Sequence, residues 1–191
     1  MRRKITEQLL AWKNRRDKMP LLLNGARQVG KTYSALTFGK EYYKNTAYFN
    51  FEDAKDVNAI FERDLDPERI IKELAAKKGQ SIIKGDTLII FDEIQACERA
   101  LTSLKYFCEQ APDYHIIAAG SLLGVAVNRN GFSFPVGKIE MLPMYPLDFE
   151  EFLWALGEEK LGNLISESFA AVEPLSLHDK ALEKYRSYLV I

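Results

Sequence analysis

The sequence predicts an α/β fold: a mainly parallel sheet with helices on both faces, followed by a small helical C-terminal extension. Three observations predict it. Short apolar runs without polar alternation, Leu21-Leu22-Leu23 and Leu88-Ile89-Ile90-Phe91, suit central strands buried on both faces. Helical stretches alternate with these runs, the order that builds parallel βαβ units. Finally, a glycine-rich loop at Gly25, the pair Asp92-Glu93 and Ser121 each follow a predicted strand. Ligands of open parallel sheets sit beyond the carboxyl ends of the strands.

The elements follow in order. Ile5, Leu9 and Trp12 form one apolar stripe of a helix over 4–16, which ends before Met19-Pro20. Leu21–Leu23 is the first strand. A helix runs from Lys31 to about Phe38, and Ala47–Phe51 is the second strand. Asp66 caps a helix whose first residue, Pro67, loses no needed donor. Ile70, Ile71 and Leu74 are its buried stripe, and Gly79 ends it. Leu88–Phe91 is the third strand. Leu101, Leu104, Phe107 and Cys108 mark a helix that Pro112 stops. Ile116–Ala119 and Ile139–Leu142 complete the sheet. Asp148 and Glu151 form a capping-box-like start for a helix carrying Phe149, Phe152 and Leu153. Residues 1–150 read as the core and 151–191 as the extension. The apolar end Tyr188-Leu189-Val190-Ile191 reads as a cut ahead of a further domain.

Composition narrows the class. The chain has 191 residues, 47% hydrophobic and 28% charged, enough for one core plus a small appendage. No apolar run approaches the roughly 20 residues that span a bilayer. Cys97 and Cys108 give neither a disulfide framework nor a zinc spacing. These features point to the cytoplasm. A net charge of −1 argues against broad nucleic-acid binding. The basic cluster Arg2, Arg3, Lys4, Lys13, Arg15, Arg16 and Lys18 reads as a solvated helix face, with a nucleic-acid or partner surface as the alternative.

The chemistry begins at Gly25-Ala26-Arg27-Gln28-Val29-Gly30-Lys31-Thr32, which fits G-x-x-x-x-G-K-[ST] at every fixed position. Glycines let the backbone curl until successive N–H groups face one cavity. The helix behind adds its positive N-terminal end. Lys31 reaches the β- and γ-phosphates, and Thr32 offers its hydroxyl to Mg²⁺. The loop, with Tyr33 after it, is thus a P-loop for ATP and Mg²⁺. Asp92, at a strand tip, completes the metal shell, and Glu93 polarises the attacking water.

With Asn24 before the loop, Phe91-Asp92-Glu93-Ile94-Gln95, and Ala119-Gly120-Ser121, the chain resembles a family of bacterial and archaeal AAA-type ATPases. Its members join an N-terminal P-loop domain to a C-terminal domain of unknown function. Phe134-Pro135-Val136-Gly137 and Pro146–Phe152 are similar to the segment after the last core strand. The resemblance implies a P-loop NTPase fold of the AAA type, a Walker B acid at Asp92, a catalytic glutamate at Glu93, a polar sensor at Ser121, and a C-terminal half beyond this chain. The chain departs from the pattern at Lys138, where an arginine is expected. Lysine keeps the charge but loses the planar fork of an arginine finger. An oligomer or protein partner would then supply that arginine; Arg99 and Arg129 are weaker candidates.

Other residues stay open. Ser121 is a γ-phosphate sensor or a helix cap before Leu122-Leu123. Gln95 orients water or caps a turn. Glu52 shares the rim or closes a turn. Tyr42, Tyr43, Tyr48, Phe49 and Phe51 read as core. The resulting expectation is Mg-dependent ATP hydrolysis with Lys31, Glu93 and Ser121 at the reacting end. The alternative is a slow nucleotide-dependent switch that controls a partner or its own C-terminal domain.

Overall fold

A computed structural model describes residues 1–53, 55–121 and 137–190. Five strands form one parallel sheet in the order β2-β3-β4-β1-β5: β1 Leu21–Asn24, β2 Asn45–Asn50, β3 Thr87–Asp92, β4 His115–Gly120 and β5 Glu140–Pro143. Strand β1, between β4 and β5, pairs Asn24 with Gly120 on one side and with Pro143 on the other. Strand ends that carry the singled-out residues therefore lie side by side.

Alternation along the strands sorts side chains onto two cores. Leu22, Ile89, Phe91, Ile116 and Ala118 face helices α3 (Lys55–Arg63), α4 (Pro67–Lys78) and α5 (Glu98–Gln110). Leu21, Leu23, Leu88, Ile90, Ile117 and Ala119 face α1 (Ile5–Asn14) and α2 (Lys31–Tyr42). Helices thus cover both faces, as expected. Burying each such Leu, Ile or Phe contributes about 1.5–3 kcal/mol. Phe51, Phe61 and Phe91 meet edge to face with centroids 5.4–5.8 Å apart, directly behind Asp92. Those pairs anchor the tip of β3.

Local signals behave as their chemistry requires. Asp66 accepts from the Arg69 amide, Pro67 opens α4, and Gly79 closes it in the left-handed region. Asp148 and Glu151 form a full capping box on α6 (Phe149–Ala155). Helices α7 (Glu159–Ala171) and α8 (His178–Tyr188) follow, and Leu153, Leu161 and Ala181 share a small core of their own.

Some expectations shift. Helix α1 is shorter than 4–16, and α2 continues four residues past Phe38. Gly39 permits the continuation: a Cβ there would lie 2.5 Å from Thr46 Oγ1, so the bare backbone lets α2 lie flat on β2. Strand β2 starts and stops earlier than 47–51. Helix α3 was not foreseen, although Val57, Ile60 and Phe61 carry a helical stripe into the core. Cys108 is only half-buried and lies outside the cores, unlike Phe107 beside it. Among the described residues, no helix is long and apolar enough to cross a membrane.

Candidate functional site

The loop of residues 25–30 joins β1 to α2 beneath the segment that leaves β5. A Cβ at Gly25 would lie 2.2 Å from the Met144 carbonyl oxygen, so only glycine fits. The Met144 amide donates to the Asn24 carbonyl at 2.7 Å and ties the two segments together. Gln28 and Gly30 both adopt positive φ, 65° and 93°. Ala26, Arg27 and Gln28 form an exposed crest, while Val29 is buried as its anchor. No side chain caps α2. Its first-turn N–H groups therefore keep free donors, the elements of an anion site.

Lys31 lies in the first turn of α2, and its Nζ donates to the Gly25 and Ala26 carbonyls at 3.0 and 2.7 Å. Burial lowers its pKa; Glu93 and then Asp92 oppose that shift. Thr32 Oγ1 donates to Asp92 Oδ2 at 2.8 Å. Asp92 follows Leu88 and Ile90 on the α2 side of β3, which is why the two meet. The Glu93 amide donates to Asp92 Oδ1 at 3.1 Å. Glu93 itself takes φ 48°, which turns it off the strand. Gln95 Nε2 donates to Glu93 Oε2.

Ser121 continues the same face as Ile117 and Ala119. Its hydroxyl is buried and, among the described residues, meets no hydrogen-bond partner, as is true of Asn24 Oδ1 and Gln95 Oε1. Such orphaned polar atoms at strand ends suit a polar ligand. Leu122-Leu123, through which Ser121 would cap a helix, lie outside the described residues. So do Arg129 and Phe134-Pro135-Val136.

Two clefts open beside the loop. One, of about 460 Å³, is lined by Lys31, Thr32, Glu52 and Glu93 with loop residues. Glu52 thus reaches the rim, though from the turn after β2. The other, of about 580 Å³, lies between the loop, Tyr33, Pro146-Leu147 and Tyr188-Leu189. Tyr33 borders both clefts, and its hydroxyl accepts from the Met1 amino group at 2.9 Å.

Two residues of the site escaped sequence reasoning. Tyr48 was read as core, yet its hydroxyl donates to Asp92 Oδ2 at 2.8 Å. Burial and that bond push its pKa up to about 12. Strand alternation held the signal, since Tyr48 pairs in register with Ile90, on the face of Asp92. Arg3 was read as part of a solvated face and is instead buried, bonded to Val29, Tyr145 and Glu151. No local pattern marks it. Arg99 donates to the Phe61 carbonyl on α3, and Lys138 pairs with Glu109 at 3.0 Å. Lys138 precedes β5, at the opposite end of the sheet from Gly25.

Among the described residues, no cluster of three or more His, Cys, Asp or Glu could hold a metal alone. One carboxylate and one hydroxyl, Asp92 and Thr32, fit Mg²⁺, which usually keeps waters and takes further ligands from phosphates.

No curated protein matches the chain. Among solved structures, an Aeropyrum pernix ORC1 protein in complex with DNA is similar at 18% identity and TM-score 0.49, over 82% of this chain and 48% of its own. Drosophila ORC bound to DNA is similar at 16% identity and TM-score 0.52, over 96% and 53%. This chain thus spans about half the length of each. At 16% identity the likeness to the Drosophila structure concerns the fold alone. The family model described as an AAA domain (AAA_14) matches residues 17–153. The parallel sheet, the loop after β1 and that match lead to one conclusion: the chain belongs to this family of AAA domains.

Proposed function

We propose that this chain binds Mg-ATP at Gly25–Tyr33 and hydrolyses its β–γ phosphoanhydride. The observation that carries the reading is the convergence of Lys31, Thr32 and Glu93 from two separate segments on one cleft, with Asp92 bonded to Thr32 behind it. In this reading, the amides of the loop and of the first turn of α2 cradle the phosphates. Lys31 Nζ exchanges its neutral carbonyl partners for anionic phosphate oxygens, so that both donor and acceptor carry charge. Thr32 and Asp92 hold Mg²⁺, whose charge offsets the negative charge on the reacting phosphoryl group. Glu93 accepts a proton from the attacking water. Ser121 offers its unpartnered hydroxyl to the γ-phosphate or that water. The nucleoside occupies the cleft of about 580 Å³, within the usual size of ligand sites. Residues 1–150 act as the ATPase core. Residues 151–191 begin the part that responds, through Tyr188 and Leu189 at that cleft's edge.

A second reading, a slow switch, draws on the bond from Gln95 to Glu93. The Glu93 oxygen so held is not free to meet a water until Gln95 moves, and an oligomer or protein partner would supply both that movement and an arginine. The DNA in the two similar structures does not enter the proposal, since likeness at those identities shows the fold alone.

Phosphate release from Mg-ATP by the chain and by Glu93→Gln, with ATP binding checked in both, tests the proposal. General-base assistance is worth about 10²–10⁴ in rate. Release falling by that factor in the variant, with binding retained, is the expected result. Binding without release from either protein supports the switch instead.

A further inference from the structure

We infer that Arg3 is a positioning residue that sets the phosphate loop for its ligand from below. This inference rests on the nucleotide-binding reading above and assigns the loop's geometry to a residue outside the motif.

One guanidinium joins three segments distant in sequence. Nη1 donates to the Val29 carbonyl at 2.9 Å, Nη2 to the Tyr145 carbonyl at 2.9 Å, and Nε to Glu151 Oε1 at 3.0 Å. Both side chains of the ion pair are only 6% exposed. A buried arginine is tolerated when its charge is paired and its donors are used, and here each of its three nitrogens has a partner. Glu151 is fixed in turn by the Lys4 amide at 2.7 Å and by its place in the capping box of α6. The guanidinium is therefore anchored on α6 and on the segment after β5, and reaches the loop as a rigid fork.

The bond to Val29 has a consequence for the next residue. In a trans peptide the C=O and the following N–H point in opposite directions. Holding the Val29 oxygen against Arg3 thus aims the Gly30 N–H away from the guanidinium. Gly30 sits at φ 93°, and a Cβ there would lie 3.3 Å from Arg3 Nη1. Flipping the Val29–Gly30 peptide would bring an N–H against the guanidinium and leave the Val29 carbonyl without this donor. Arg3 therefore selects the loop conformation in which the Gly30 amide is free for an anion. Because Glu151 neutralises its charge, Arg3 acts through geometry; a charge without the planar fork cannot replace it.

The test compares Arg3→Gln and Arg3→Lys with the unaltered chain. Two quantities are read: amide exchange of residues 25–32 without nucleotide, and the Kd values of Mg-ATP and Mg-ADP below the melting temperature of each variant. Loss of a preset loop predicts faster exchange in 25–32 with β3 unchanged. It also predicts weakening of both nucleotides by about tenfold, equally in the two variants. Unchanged loop exchange and unchanged Kd in Arg3→Gln overturn the inference, even if that variant melts earlier. Full retention of affinity by Arg3→Lys overturns it too, since charge alone would then suffice. If the unaltered chain binds neither nucleotide, the ATP reading fails, and loop exchange alone decides the role of Arg3.

Discussion

Gly25→Ala should damage the fold as well as the site, and the structure gives the size of the effect. The new Cβ would lie 2.2 Å from the Met144 carbonyl oxygen, a backbone atom that cannot rotate away. Relief needs a movement of about 1 Å to restore ordinary contact. That movement strains the bond from the Met144 amide to the Asn24 carbonyl, 2.7 Å long, which continues the β1–β5 pairing. Overpacking of this kind costs about 1–3 kcal/mol, and a weakened backbone bond about 0.5–1.5 kcal/mol. Together they give about 1.5–4.5 kcal/mol, a fall in Tm of roughly 3–18 °C for a chain of this size. Thermal unfolding followed by circular dichroism reads this directly, with Gly79→Ala as comparator. Gly79 differs in kind: it has positive φ, which Gly25 has not, and no described atom lies within 4 Å of an added Cβ, so only backbone strain of about 1–2 kcal/mol applies. A Gly25→Ala protein that melts with Gly79→Ala would refute the reasoning that Met144 closes on Gly25.

Tyr48→Phe removes one of the two hydroxyl donors on Asp92 Oδ2 and leaves the ring in place. The Mg²⁺ concentration needed for half-maximal ATP binding should rise about 3- to 10-fold while metal-free binding holds, and a Mg²⁺ titration with a fluorescent nucleotide measures both. His115 supplies a pH dependence remote from the site. Burial, with Lys18 and Lys13, lowers its pKa from 6.5 to about 4. Its ring accepts from or donates to the Tyr43 hydroxyl at 2.9 Å. A depressed pKa means that the unfolded chain binds the proton more readily. The contribution to stability is therefore whole above pH 6.5 and is lost as pH falls towards 4. Denaturant midpoints across that window should show the loss, and His115→Gln should flatten it.

Legibility of the sequence tracked the range of each interaction. The α4 boundaries were readable because Asp66, Pro67 and Gly79 act on their own helix within a few residues. The nearness of the loop at Gly25 to the pair Asp92-Glu93 was readable because each follows a strand of a parallel sheet, whose carboxyl ends share one edge. Parallel strand order then placed them together. Arg3 could not be read, since its partners lie 26, 142 and 148 residues away and nothing local separates it from Arg2 and Lys4. Glu151 shows both sides: its capping role was visible three residues from Asp148, its ion pair was not. Tyr48 lay between these cases, because the face it occupies was predictable but its bond to Asp92 required the β2–β3 register.

Isothermal titration of Mg-ATP into the chain and into Lys31→Ala tests the central claim, a triphosphate held at Gly25–Thr32. Removing the ammonium deletes charge-assisted bonds worth about 1.5–3 kcal/mol each, so affinity should fall at least about tenfold with the fold intact. Equal affinity in the two proteins, or no binding by the unaltered chain, would contradict it.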